Sequence, residues 1–485
     1  MVSCSLLPSR NDARAILTEE EAPVTVLSAR FGRRNWYDLE LRGPHHGNRR
    51  GIFGVELDSV PLPDDGHRIC PPWGHGRDGS ARCPVNDRER MLAAIAGTPA
   101  DGLPWAPRMD LWMIAQRARG TLPAELLRAN TVDLAKHFGV ACHAVRGDFT
   151  APRDPQDWLL RGFGIENHPD FPYRVEVSGL PVEFVAEGGR FRTTIRTAAG
   201  DVTVALEMTP AMQRDGMSIP QVMKRPVETP ADLEPVAQLF EHLEVVPTPA
   251  AYAAFRARIG EHGLAVANGP IAASPVHLIL HDLMDLEAFI YLYMDEPATI
   301  HGFADRLRPF FEAALEALLA CEAEVVWWGA NYDQNVTWPT FFRDEIVAWL
   351  QATGNRLRES GKLLASHADG ENQRLLPLFP ECQLDVAESV CPEPMTHNSL
   401  AELRRGMGRQ TTVWGGIPSI ALLDDSMDEP QFAAYLDSVF GDLGTGERLI
   451  LGVSDNVPPD ANIDRLDRIT ERVAAFGAVN PASQV

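Results

Sequence analysis

Two short stretches concentrate the side chains best able to do chemistry: SHADGENQ from residue 366 and DVAESVCPEP from residue 385. They bring together His367, Asp369, Glu388 and Cys391, four residue types that each bind zinc. A zinc ion held there would polarise an ether or carbonyl oxygen as a Lewis acid, or activate a thiol. A plainer reading has His367 and Glu388 hydrogen-bonding to each other, with Asp369-Gly370 as helix cap and tight turn. On either reading His367 is the first candidate for a ligand or proton donor. Arg117 and Arg119 could clamp a carboxylate, since guanidinium matches it in two-pronged fashion, with an exposed helix face paired with acidic neighbours as the alternative; Arg108, at the end of the first apolar run, is a candidate substrate contact. Asp148 and Asp333 are candidate anchors or general acids if desolvation raises their pKa, and otherwise cap the helices that follow them. Asn268, Asn331, Tyr332 and Asp455 are candidate substrate contacts. His67, Cys70, His75 and Cys83 match no metal-site spacing and read more readily as a surface loop.

These residues share a position: each of the main ones follows a short apolar run. The runs are Pro104–Met109, Val140–Val145, Leu264–Asn268, Glu324–Trp328, Leu363–His367, Leu384–Glu388, Thr411–Trp414 and Leu449–Val453, bounded by turn residues. Between most of them lie helical segments with identifiable starts, such as Thr229-Pro230 opening a helix to Leu243, then 296–321, 340–360 and 461–476. Strand–helix alternation of this kind predicts an α/β fold, a (β/α)8 TIM barrel, with a doubly wound sheet as the alternative. In such a barrel the loops after the strands build the site, which is where the polar residues fall.

Asn86 with Glu89 makes a capping box and marks the start of the regular fold. The expected organisation is therefore a loop-rich N-terminal extension over residues 1–85, with short strands near Val24–Ser28 and Trp36–Leu41, and a barrel over 86–480. One stretch breaks the alternation. Tyr173–Val177, Val182–Val185, Phe191–Ala198 and Val202–Glu207 predict a β-rich insertion over 170–211, a meander overhanging the mouth of the barrel.

Composition narrows the function. A net charge of −23 argues against nucleic acid, because phosphate contact needs concentrated basic side chains. The uncharged stretch Gly263–Leu280 holds glycines, prolines, Asn268 and His277, so it is no lipid-facing helix and no membrane span is expected. Seven cysteines without a CxxC pair fit a reducing, cytoplasmic setting, and the N-terminus lacks the basic start and apolar run of a secretory signal. A small-molecule substrate is the expected partner.

The order and spacing of DRERMLAAIAGTPADGLPW, RMDLWMIAQRARGTLP, GPIAASPVHLIL, WWGANYDQNVTWPTFF, SHADGENQRLLPLF, ESVCPEPMTH, VWGGIPS and ILGVSDNVPPDANIDRL resemble the uroporphyrinogen decarboxylase superfamily from about Asn86 to Phe476. That resemblance implies a barrel enzyme of the branch of corrinoid-linked methyltransferases, demethylating a small methylated substrate and passing the methyl group to cobalamin on a separate corrinoid protein. A porphyrinogen-type decarboxylase is the alternative within the family, and a non-catalytic barrel that binds a tetrapyrrole or small acid is the alternative outside catalysis. The family pattern puts His367 in the place of a zinc-binding histidine, with Asp369 where a cysteine would stand. It puts Asp148 near the aspartate with which the decarboxylases contact pyrrole NH groups. Gln116-Arg117-Ala118-Arg119-Gly120 stands out of register with the decarboxylases' carboxylate-holding arginines, and Val453-Ser454-Asp455-Asn456 replaces their late histidine.

Overall fold

The computed structural model describes residues 85–145, 155–215, 217 and 219–479, together with the backbone of five strands between residues 3 and 54. The chain divides into two units, Met1–Ala81 and Arg82–Val485. In the first, strands Ser3–Leu7, Arg14–Glu19, Ala22–Phe31, Trp36–Arg42 and Arg49–Gly54 pair antiparallel, each with the next in sequence. His67, Cys70, His75, Cys83 and Asp148 lie outside the described residues.

The second unit is an α/β protein built on a curled sheet of seven parallel strands. Cys142–Ala144, Gly263–Asn268, Val325–Ala330, Leu363–His367, Val386–Val390, Thr412–Pro418 and Leu449–Ser454 lie side by side in sequence order. Almost every residue in them is buried, because helices cover one face and the interior of the curl the other. Seven of the eight apolar runs thus become strands within a residue or two of their expected starts.

The eighth, Pro104–Met109, does not form a regular strand, and its prolines explain why. Pro104 and Pro107 carry no N–H, so a continuous ladder cannot form. The segment still touches both edges of the sheet. The Ala106 N–H donates to the Leu451 carbonyl over 2.8 Å and Leu451 N–H to Pro104 over 2.9 Å, while Ala141 N–H donates to Trp105 over 2.8 Å.

The Asn86 capping box is present, starting the helix Asp87–Ala96. The helix expected over 340–360 is interrupted: Pro339–Phe341 and Ala348–Glu359 flank a wider π-helical turn at Phe342–Val347. The insertion also differs from expectation. Val182–Glu187, Arg190–Arg196 and Asp201–Glu207 form the meander, and Gln221–Lys224 adds a fourth strand at its edge. Tyr173–Val177 leaves it and pairs antiparallel with Leu243–Pro247, a partner too far along the chain for local turn signals to indicate. The meander is held down by Trp158 of the helix Pro155–Arg161, which stacks on Phe191 with centroids 3.6 Å apart. No helix among the described residues is long and apolar enough to cross a membrane. The described cysteines Cys142, Cys321, Cys382 and Cys391 are all buried, and none is in a disulfide.

Candidate active site

A cavity of about 360 Å³ opens at the C-terminal ends of the parallel strands. That volume suits a small molecule. One side is polar: Arg108, Asn268, Asn331, His367, Asp369, Glu388, Asp455 and Asn456 line it. The other is apolar and aromatic, from Ile165, Phe171, Tyr173, Ile271, Phe310 and Trp327. The division follows from the strands. Asn268 and His367 close their strands, Glu388 lies two residues before the end of its own, and Asn331, Asp369, Asp455 and Asn456 stand one or two positions after a strand.

At the floor, Glu388 is shared by two imidazoles. His367 Nδ1 lies 2.5 Å from Glu388 Oε2, and His143 Nε2 lies 3.1 Å from Oε1. The Glu388 side chain is only 3% exposed. Burial opposes the charge on His367, but the Glu388 carboxylate outweighs it, helped by Asp455 and Asp369, and the pKa stands at about 9. Burial likewise opposes ionisation of Glu388, yet His367 and His143 hold its carboxyl well below the usual carboxylate range. His367 is therefore an imidazolium at neutral pH. Its Nε2 is 3.9 Å from Asp455 Oδ1, beyond hydrogen-bond reach, and His367 lines the cavity. Arg108 Nη1 donates to the same Asp455 oxygen over 3.0 Å, and Asn456 Nδ2 to the other over 2.8 Å, so Asp455 is fixed from two sides. Burial raises the pKa of Asp369, which lines the cavity beside them.

Several expected contacts lie elsewhere. Tyr332 is fully buried, its hydroxyl 2.8 Å from Ser366 Oγ and its ring against Phe342 and Phe379, so it supports the strand ends without lining the cavity. Asp333 accepts from the backbone of Asn335 and Glu371 over 2.8 and 3.1 Å, which makes it a turn-holding carboxylate. Arg117 donates to the Ala129 carbonyl over 3.2 Å, and Arg119 to Arg214 and Asp460 over 2.7 and 2.5 Å. Both sit in the last turn of the helix Asp110–Arg119, outside the cavity lining.

The four zinc-competent residues do not form a donor set. Both Glu388 oxygens are taken by histidines, and His367 turns Nδ1 to Glu388. Cys391 Sγ faces the Pro392 carbonyl at 3.7 Å, and burial pushes its pKa up to about 12, so it is no ready thiolate. Among the described residues there is no group of three or more His, Cys, Asp or Glu side chains placed to hold a metal ion.

His143 was not among the expected residues. The signal was present, a polar residue in the middle of the apolar run Val140–Val145, but a lone histidine in a strand does not reveal which carboxylate it will meet. His281 and Asp282 escaped for a similar reason, lying in a π-helical turn, Ile279–Leu283, that periodicity does not announce.

No family model matches the chain, and no curated protein sequence does either. Among solved structures, a methyltransferase from Methanosarcina mazei superposes on it with a TM-score of 0.49 and 15% sequence identity, over 81% of this chain and 99% of that chain.

Proposed function

We propose that this protein is a methyltransferase that removes a methyl group from a small methylated substrate in the cavity and passes it to a corrinoid carried by a separate protein. The observation that carries the reading is the buried His367 imidazolium, backed by Glu388 and His143, at the wall of a cavity with both polar and apolar lining. Removing a methyl group from an oxygen leaves the bonding electron pair on that oxygen, and a proton delivered there stabilises it. A donor with a pKa near 9 is protonated at neutral pH and close to the acidity of a phenol or a similar leaving group.

In this reading the aromatic side of the cavity receives the body of the substrate and excludes water. Asn268 and Asn331 orient it, and Arg108 fixes Asp455 next to His367. As the carbon–oxygen bond breaks, His367 gives up its Nε2 proton to the leaving oxygen. Glu388, still shared with His143, keeps the imidazole ring in place through Nδ1 and favours recapture of a proton. The corrinoid supplies the nucleophile that accepts the methyl group. A cavity of about 360 Å³ does not enclose a corrinoid, so the carrier must present it at the mouth. No step is assigned to zinc, since the four candidate ligands do not converge.

The fold reading that goes with this function is a closed (β/α)8 barrel over residues 86–480, with 104–108 as its first stave. The hydrogen bonds of that segment to both sheet edges support it. The test of function is methyl transfer from methoxy-substituted phenols to free cob(I)alamin, followed by loss of the cob(I)alamin absorbance. Transfer that disappears in His367→Ala is the expected result; no transfer to cob(I)alamin from any such ether would sink the proposal.

A further inference from the structure

A second hydrogen-bond chain reaches the cavity from a different side and plays no part in the proton transfer. Asp282 Oδ2 lies 3.0 Å from His281 Nδ1, and His281 Nε2 lies 3.3 Å from Asn331 Nδ2. Asn331 lines the cavity. Donor and acceptor chemistry sets the polarity of this chain. Burial opposes ionisation of Asp282, but His281 and Arg225 hold its carboxyl below the usual range. A carboxylate only accepts, so His281 presents Nδ1–H to it, and the group beside Nε2 is the Asn331 NH2, which only donates, so Nε2 is the acceptor. Asn331 then gives its NH2 to His281, and its carbonyl oxygen Oδ1 is the atom turned to the cavity.

The surroundings hold the chain in place. At Gly164, where φ is +68°, a Cβ would fall 2.2 Å from Asp282 Oδ2, so only glycine leaves room for the carboxylate. Arg225 Nη1 donates to the His281 carbonyl over 2.7 Å. Asn331 itself sits at φ 60°, a left-handed conformation that asparagine tolerates better than most residues. On the neighbouring strand Asn268 lines the same cavity, 4% exposed, with its amide paired to no side chain or backbone group among the described residues.

We propose that Asn268 and Asn331 form a subsite that recognises a hydroxyl group on the substrate, and that His281 and Asp282 are positioning residues that decide which end of Asn331 the substrate meets. A hydroxyl both donates and accepts, so it donates to Asn331 Oδ1 while accepting from Asn268 Nδ2. An acceptor-only group in its place would set one lone pair against another and leave Asn331 Oδ1 unpaired. The inference rests on the proposed function in taking this cavity as the substrate site.

The test compares 2-methoxyphenol with 1,2-dimethoxybenzene by calorimetric titration, two flat ligands suited to the aromatic lining of the cavity that carry O–H and O–CH3 at one position. The wild-type protein should bind 2-methoxyphenol about tenfold tighter or more. Asp282→Asn inverts the chain: the new amide N–H donates to His281 Nδ1, His281 Nε2–H donates to Asn331 Oδ1, and the Asn331 NH2 turns to the cavity. The preference should then collapse or reverse. Equal weakening of both ligands in that variant, as a purely structural role would give, overturns the proposal. Asn331→Gly keeps the left-handed backbone without the amide and should lose the preference while melting normally; a preference that survives it also overturns the proposal, as does failure of 2-methoxyphenol to bind the wild-type protein. Methyl transfer to cob(I)alamin is scored separately. Preference without transfer keeps the subsite and removes the proposed function, and transfer from both ethers at equal KM does the reverse.

Discussion

The two ends of the parallel sheet each hold one carboxylate between two basic side chains, and only one end is a candidate for chemistry. At the C-terminal end Glu388 lies between His367 and His143. At the opposite end Glu324, just before the strand Val325–Ala330, takes Arg88 and Arg256 on the same oxygen Oε1, Arg256 Nη2 at 2.7 Å. The arrangements are alike, but the basic groups differ. Arginine does not release a proton in the range where proteins work, so the Glu324 cluster can only clamp the helix Asp87–Ala96 and the helix Pro249–Ile259 to the sheet. Histidine can release one, and burial of the Glu388 cluster makes its charge state responsive to whatever enters the cavity. The identity of the cation, more than the presence of a buried carboxylate, separates a fastening from a reactive group.

Exchanging roles between the two ends puts this contrast at risk. The largest effect is expected for His367→Ala, which should lower turnover roughly a hundredfold to ten-thousandfold with the melting curve still cooperative. Turnover near the wild-type level would move the chemistry away from the Glu388 cluster altogether. Glu388→Gln keeps the shape and removes the charge that supports His367. Activity, which requires the protonated ring, should fall as pH rises through about 9 in the wild-type protein. In the variant that fall should come earlier, toward the ordinary imidazole value of about 6.5, because burial is then opposed only by Asp455 and Asp369. A pH–rate profile that does not move would break the link between the two residues.

Stability should distinguish the ends as well. His367 has a folded pKa above its unfolded value, so its contribution is complete below about pH 6.5 and is lost as pH rises through about 9. Glu324 has a depressed pKa despite the opposing effect of burial, so its contribution is present above the unfolded value and is lost in acid. The wild-type melting temperature should thus decline between pH 6.5 and 9, and His367→Gln should flatten that decline while Glu324→Gln leaves it intact. Glu324→Gln should cost about 1 kcal/mol at neutral pH with turnover unchanged, a modest figure because all three side chains are partly exposed. The smallest change is expected for Asn86→Ala, which removes the cap of the helix that carries Arg88, about 0.5–1 kcal/mol by thermal or chemical melts and again without effect on turnover.

The strands were legible because the signal for a doubly covered parallel strand, a short apolar run with polar residues at its end, is local. Leu363–His367 begins and ends where its composition says it should. Pro104–Met109 has the same apolar character and fails for a reason equally visible in the sequence, its two prolines. Tyr173–Val177 reads as part of the meander from local turn signals, but pairing partners are chosen across the whole chain, and Leu243–Pro247 lies some seventy residues away. The site follows the same rule. His367, Glu388 and Asp455 were readable from their places at strand ends, whereas the roles of Tyr332, Asp333 and Cys391 depend on which way a side chain turns at a bend. His143 and His281 became visible only through their partners, Glu388 and Asn331, which belong to other strands.

The buried cysteines give the molecule internal timers. A thiol-specific reagent can reach Cys391 or Cys321 only when the surrounding structure opens, so its rate of reaction counts those openings. Cys391 lies three residues past Glu388, just after the C-terminal end of its strand, and Cys321 follows the helix Pro297–Ala320, just ahead of Glu324. The two therefore report on breathing at opposite ends of one sheet, in one sample and without an added label. A ligand that settles in the cavity should slow the modification of Cys391 and leave that of Cys321 nearly as it was, which maps where binding is felt before any turnover is observed.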